Sequence, residues 1–304
     1  MNNHRVNLHT QVSGWFKIEV IRGDGSKKLL ADWFPNLILN QGLNQMAQGT
    51  SWLAACQVGS GSTVPAITDT GLVTRIAGTT TRTSTANGVT SVPPYYAYRT
   101  TTYRFATGVA AGNISEVGIG LSATTATLTS RALILDGDGN PATLTILDTE
   151  TLDVTYQFRY YVPTEDLTGE ILLRDTLHSW TARAANCISA SSWNLSTNTG
   201  ILTEGYAVTA PTAYLEDIRD ITTIPLTSIG GASIVASAYA PNSFYIDHTI
   251  TASLAHWNNA AGIKSISVRK GLGMYQIGFT PNIMKVAEDV LVLVLRHSWG
   301  RKVL

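Results

Sequence analysis

The chain is expected to be all-β, forming two antiparallel β-sandwich-like domains with at most short helices. Three observations predict this. From Leu152 to Tyr160 the residues alternate without a break. Leu152, Val154, Tyr156, Phe158 and Tyr160 share one face, while Asp153, Thr155, Gln157 and Arg159 share the other. A period of two held this long belongs to a strand with one buried side. From Tyr95 to Phe105 the pattern repeats, with Tyr95, Ala97, Thr101, Tyr103 and Phe105 on one face and Tyr96, Tyr98 and Arg104 on the other. Aromatic and Thr-rich runs of this kind favour sheets. The third observation is composition: over 304 residues, 44% are hydrophobic and only 14% charged. A core can be built, but Thr, Ser, Asn and Gln must cover much of the surface, which suits extended structure and subunit contacts.

Taken in order, Trp15 to Ile21 alternates, Gly23-Asp24-Gly25 supplies a tight turn, and Leu29, Ala31 and Trp33 alternate again. This predicts a β-hairpin. Asn40 is placed to cap a helix of about two turns whose Leu43 and Met46 point inward, with Gly42 weakening it. A strand from Trp52 to Val58 follows. Thr79 to Thr90 has little to bury, so it is a loop or an edge ribbon, and Pro93-Pro94 blocks pairing behind it. Ile114 to Leu121 and Leu128 to Leu135 are apolar enough for strands. Pro163 and Gly169 close this region, which places an N-terminal domain at 1–170 and a C-terminal β-rich domain at 171–304. In the second, Tyr206 to Val208 and Ile263 to Val268 are short strands. Val290 to Leu295 is apolar throughout and is expected as a central strand covered on both faces.

Charge narrows the partners. Lys+Arg and Asp+Glu both number 21. Nucleic-acid binding draws on a basic face, so none is predicted. Zero net charge also removes the self-repulsion that keeps copies apart, which favours assembly. Cys56 and Cys187 lack Cys-x-x-Cys spacing and are expected as buried free thiols. No apolar run is long enough to span a membrane, and no export signal is visible behind Met-Asn-Asn-His-Arg.

Motifs for chemistry fail on inspection. Val58-Gly59-Ser60-Gly61-Ser62 resembles a phosphate-cradling turn, but it has no third glycine, no Gly-Lys-Ser/Thr ending and Pro65 where a helix would open. Asp136-Gly137-Asp138-Gly139-Asn140 starts like a calcium loop, yet Pro141 and Leu147 stand where glycine and an acid are needed. No Gly-x-Ser-x-Gly pentapeptide occurs. The 6 histidines offer no helical i, i+4 pair. Asp136, Asp138, Glu165 and Asp166 provide carboxylates, but nothing selects a facing pair for glycoside hydrolysis. No cofactor and no metal are expected, and the chain is expected not to be an enzyme. Tyr96 and Tyr98, with an arginine nearby, admit two readings: a platform for stacking sugars or ordinary cross-strand packing.

Phe34-Pro35-Asn36-Leu37-Ile38, Gly42-Leu43 and the Cys56 to Leu72 loop are followed by Ile114-Ser115-Glu116-Val117-Gly118-Ile119, Ser130-Arg131-Ala132-Leu133 and the Leu152 to Tyr160 strand. In this order they resemble tail-associated structural proteins of tailed bacteriophages. The resemblance covers residues 30 to 165, with Phe279-Thr280-Pro281 and Ser298-Trp299-Gly300-Arg301 as later echoes. It implies a non-enzymatic, oligomeric virion component of the tail, baseplate or neck, made in the host cytoplasm. Its expected partners are copies of itself and other tail or neck proteins, with a tail-tip module binding a host surface glycan as the alternative. Gly59, Gly61, Tyr96, Tyr98 and Arg159 are the candidate interaction surface. The Gly59–Gly61 loop is expected to take its order from a neighbouring subunit.

Overall fold

The structure, a computed structural model, describes residues 5–48, 51–193, 195, 209–270 and 273–303. Its elements run β1 (Arg5–Ile21), β2 (Lys27–Pro35), β3 (Leu37–Ile38), α1 (Asn40–Gln45), β4 (Ala55–Gly59), β5 (Arg75–Thr79), β6 (Arg82–Val89) and β7 (Tyr96–Phe105). Then come β8 (Gly112–Ile114), β9 (Glu116–Gly120), β10 (Leu128–Leu133), β11 (Leu144–Ile146), β12 (Thr151–Tyr161), β13 (Leu167–Leu173) and β14 (Thr176–Ala184). The remainder are β15 (Thr209–Tyr214), β16 (Ser228–Gly231), β17 (Ser233–Ala236), β18 (Tyr245–Ala252), β19 (Ile263–Lys270), β20 (Gly273–Ile283) and β21 (Leu291–Arg301). The all-β class read from the sequence is what the chain adopts.

β1 is the spine. One of its edges pairs antiparallel with β12 from Gln11 to Ile21. The other edge is shared: β21 runs parallel to Arg5–Val12, and β2 takes over from Trp15 to Ile21. The expected hairpin joins β1 to β2, with Gly25 at φ 83 closing the turn on the Arg22 carbonyl. An 8-stranded sheet results, in the order β17-β18-β21-β1-β12-β7-β6 with β2 beside β1. A 5-stranded sheet (β3-β10-β9-β4-β5) and a 6-stranded sheet (β13-β14-β20-β19-β15-β16) complete the architecture with the β11-β8 pair.

The inner face of the large sheet follows from alternation. Phe16, Ile18, Val20, Leu152, Val154, Phe158, Tyr103 and Phe105 are all excluded from water. Trp52, just ahead of β4, meets Phe158 edge-on at 4.6 Å. Towards the other end, Trp193 bridges Tyr160 at 5.8 Å and Tyr275 of β20 at 5.7 Å. One hydrophobic cluster therefore runs between the large sheet and both smaller ones. Each such side chain contributes about 1.5–3 kcal/mol by leaving water. The division expected at residue 170 falls inside β13, and β17, β18 and β21 from beyond it share the 8-stranded sheet with β1.

Several local expectations shift. The helix forms with Leu43 and Met46 buried, but its N-cap is Leu39, with no side-chain cap, rather than Asn40. Gly42 is required there, because a Cβ would run into the Thr129 carbonyl of β10. β4 begins at Ala55, later than Trp52. β21 is central, as expected, yet only one face is covered: Val292 is 49% exposed while Leu291, Leu293 and Leu295 are buried. An uninterrupted apolar run cannot distinguish a two-faced strand from one that exposes valines. Tyr206 to Val208 lies outside the described residues.

Candidate functional site

Gly59 and Gly61 do not lie on a surface. Both are buried where β4 runs into the following loop, because that loop wraps around a buried carboxylate. Glu116 opens β9 beside β4 and has no exposed area. Its Oε1 accepts the backbone N–H groups of Gly61 at 3.0 Å and Thr74 at 2.8 Å, and its Oε2 accepts that of Val73 at 3.1 Å. Arg131, on the neighbouring β10, donates Nε to Glu116 Oε2 at 2.9 Å, Nη1 to Asp69 at 2.7 Å and Nη2 to the Thr63 carbonyl at 2.8 Å. Asp69 in turn accepts the Ala66 N–H at 2.9 Å. A buried charge persists when it is paired and its remaining hydrogen-bonding capacity is filled, as it is here. The loop is ordered from within, and the expectation that a neighbour orders it is corrected. The glycines permit this: a Cβ on Gly61 would stand 2.5 Å from Glu116 Oε1, and one on Gly59 would overlap the Thr74 carbonyl.

Tyr96, Tyr98 and Arg159 do come together, on the outer face of the large sheet. Register sets Arg159 of β12 opposite Tyr98 of β7 and Ser13 of β1, and Tyr161 opposite Tyr96. The Arg159 guanidinium lies between two rings, 4.7 Å from the Trp15 centroid and 4.8 Å from that of Tyr96, and its Nε donates to Gln157 at 2.7 Å. Tyr96 also meets Tyr98 edge-on at 6.2 Å and Tyr161 at 5.5 Å. Tyr98 covers Gly88 of β6. Trp15 is the member that sequence reading missed. Its place in the alternation of β1, one residue before buried Phe16, could have put it on this face. Beyond Tyr161, a pocket of about 290 Å³ is lined by His9, Tyr95, Glu165 and Lys302 among others.

Further along the same face the charges satisfy one another. Arg104 grips Asp153 with two hydrogen bonds of 2.7 and 2.6 Å, which holds the guanidinium pKa up. Arg296 grips Asp247 in the same way at 2.7 Å and lies 3.6 Å from the Tyr245 ring centroid. Such fork-to-carboxylate pairs fix side chains in place. Among the described residues, the two long edges of the sheet left without a partner strand differ. β2 carries Lys27, Lys28, Pro35 and two register breaks, the devices that discourage strand addition. β6 is a Thr- and Ser-rich row, exposed from Arg82 to Asn87, with its one charge, Arg82, and its one register break, between Arg82 and Ser84, confined to its first residues.

No family model, curated protein or solved structure matches the chain.

The residues weighed for chemistry are dispersed into structural tasks. Asp136 accepts the N–H groups of Asp138 and Asn140 at 3.0 and 2.8 Å, forming the turn of a hairpin closed by the Leu135–Pro141 bridge. Asp166 is held by Arg183 at 2.7 and 2.5 Å, which lowers its pKa. His178 bonds the Pro281 carbonyl at 2.7 Å, and His297 is buried against Thr10 at 2.9 Å and Tyr160 at 3.3 Å. His4 lies outside the described residues. Among those described, no three His, Cys, Asp or Glu side chains are gathered to hold a metal ion. Cys56 and Cys187 are both free and buried, and burial raises both thiols. Among the described residues no helix is long and apolar enough to cross a membrane.

Proposed function

We propose that the chain is a non-enzymatic structural component of a bacteriophage tail, baseplate or neck, building an oligomeric assembly by subunit contacts in the virion. Its partners are copies of itself and neighbouring tail or neck proteins, met during assembly in the host cytoplasm. The observation that carries this reading is the edge of β6 from Ser84 to Val89 on the largest sheet, a stretch with no charge, proline or register break. An exposed row of unpaired backbone groups recruits another strand unless charge, proline or a bulge prevents it. Zero net charge and a broad outer face with its ion pairs already made support the same reading, and the sequence resemblance supplies the setting. The test is mass spectrometry of purified particles together with antibody labelling. The expected result is the chain at fixed stoichiometry in the tail region; its absence from intact particles would contradict the proposal.

A second reading, a tail-tip module that binds host glycan, draws on Trp15, Tyr96 and Tyr98 sharing one face. Against it, Arg159 already occupies a face of both Trp15 and Tyr96. A sugar stacking on those faces would have to displace a cation bound by about 0.5–1 kcal/mol per ring. A glycan array decides: signal that is lost in Tyr98→Ala favours this reading, and a blank array removes it.

A further inference from the structure

We infer that β6 pairs antiparallel with β6 of a second copy, through a two-fold axis at Asn87. This rests on the proposed assembly role and gives that role a site and a register. The hydrogen-bond phase of the strand fixes which groups are available. Thr90 N–H donates to the Tyr96 carbonyl at 3.0 Å, and the register from Val89↔Ala97 to Ser84↔Thr102 is unbroken. In an antiparallel ladder, bonded and non-bonded pairs alternate. Gly88, Ala86 and Ser84 therefore bond inward to β7, and Val89, Asn87 and Thr85 turn their N–H and C=O groups outward. The strand on the far side of β7 agrees, since Val162 N–H donates to the Tyr95 carbonyl and leaves Ala97, Arg99 and Thr101 bonded to β12.

The occupant is a second copy because the row is self-complementary. With Asn87 opposite Asn87, Thr85 falls opposite Val89, and every outward group finds a partner. A two-fold contact of this kind uses the same patch on both subunits and closes without leaving an open polymer end. No charge lies between Thr83 and Val89, so like charges do not oppose the pairing, and Arg82 falls beyond the paired stretch. The opposite end of the sheet is a poorer template. β17 is only 4 residues long and lies close to β15.

The experiment uses the full chain. Asn87 is exposed, and bonded antiparallel partners have Cα atoms about 5.5 Å apart, within disulfide reach. Asn87→Cys is therefore expected to form a covalent dimer on mild oxidation, with buried Cys56 and Cys187 silent. Thr83→Cys, whose two copies would stand about 27 Å apart at 3.4 Å per residue, is expected not to cross-link. Asn87→Pro removes an outward N–H and no inward bond, as tolerated on an edge. It is expected to halve the mass of the β6-paired species in light scattering while the far-ultraviolet circular dichroism stays that of the parent. If the parent chain is oligomeric but Asn87→Cys does not cross-link and Asn87→Pro leaves the mass unchanged, the β6 pairing is overturned and the assembly role stands on another surface. If the parent is monomeric and nothing cross-links, both fall.

Discussion

Glu116 and Arg131 face each other from adjacent strands, Oε2 to Nε at 2.9 Å, with side chains 0% and 1% exposed. Around this pair fold both the loop after β4 and the end of β10. Removing one partner of a buried ion pair costs up to about 3–5 kcal/mol, and the Asp69 carboxylate, still 2.7 Å from Arg131, keeps a Glu116 variant towards the lower end of that range. Glu116→Gln is expected to lower unfolding free energy by that order and to speed hydrogen exchange at Gly61, Val73 and Thr74. Urea titration and exchange mass spectrometry check both, and an unchanged midpoint would contradict the arrangement.

Gly61 touches this carboxylate directly. Gly61→Val is expected to destabilise the folded chain by about 1–3 kcal/mol through overpacking, visible in thermal melts before any effect on assembly. A variant that keeps the parent's melting temperature but loses only its oligomer would return Gly61 to a contact surface.

Arg159 is held mainly by two rings. Arg159→Ala is expected to cost about 1 kcal/mol in stability and to shift Trp15 emission by uncovering its face. Arg159→Lys should recover only part, because an ammonium cannot lie flat between both rings.

Glu216 accepts hydrogen bonds from Thr227 Oγ1 at 2.5 Å and Leu226 N–H at 3.1 Å, with Arg219 beside it at 2.9 Å. The Thr227 bond first, then the Leu226 N–H, bring its carboxyl down from 4.5 to about 2. A depressed folded pKa stabilises above the unfolded value and loses that stability as pH falls through the folded one. Residues 216–227 are therefore expected to stay ordered at pH 5 and to loosen as pH approaches 2. Glu216→Gln removes the Glu216 share of that dependence and leaves that of Asp220, whose carboxyl the Thr222 hydroxyl and N–H also hold down. Amide exchange at Leu226 reports it.

The strands that alternate could be read directly: β7 and β12 keep the faces that their residues dictate, and the β1–β2 turn forms where its glycines stand. The Thr-rich ribbon had nothing to bury, which left a loop or an edge ribbon open, and the edge strand β6 is what forms. The role of Glu116 was not legible. An acid inside an apolar strand does not announce its partner: Arg131 reaches Glu116 only through the pairing of β10 with β9, and Asp69 joins them by bonding Arg131 across 62 residues of chain. For the same reason Gly59 and Gly61 read as an exposed loop when their neighbour was a carboxylate 55 residues away from Gly61. The sharing of the large sheet by β1 and β21 depends on a parallel pairing between the two ends of the chain, which no local pattern encodes.

The central claim is assembly through subunit contacts, and the solution mass of the purified chain tests it most directly. Light scattering across a range of concentrations is expected to give an integral multiple of 32.6 kDa above one. A single species of 32.6 kDa at every concentration would contradict it.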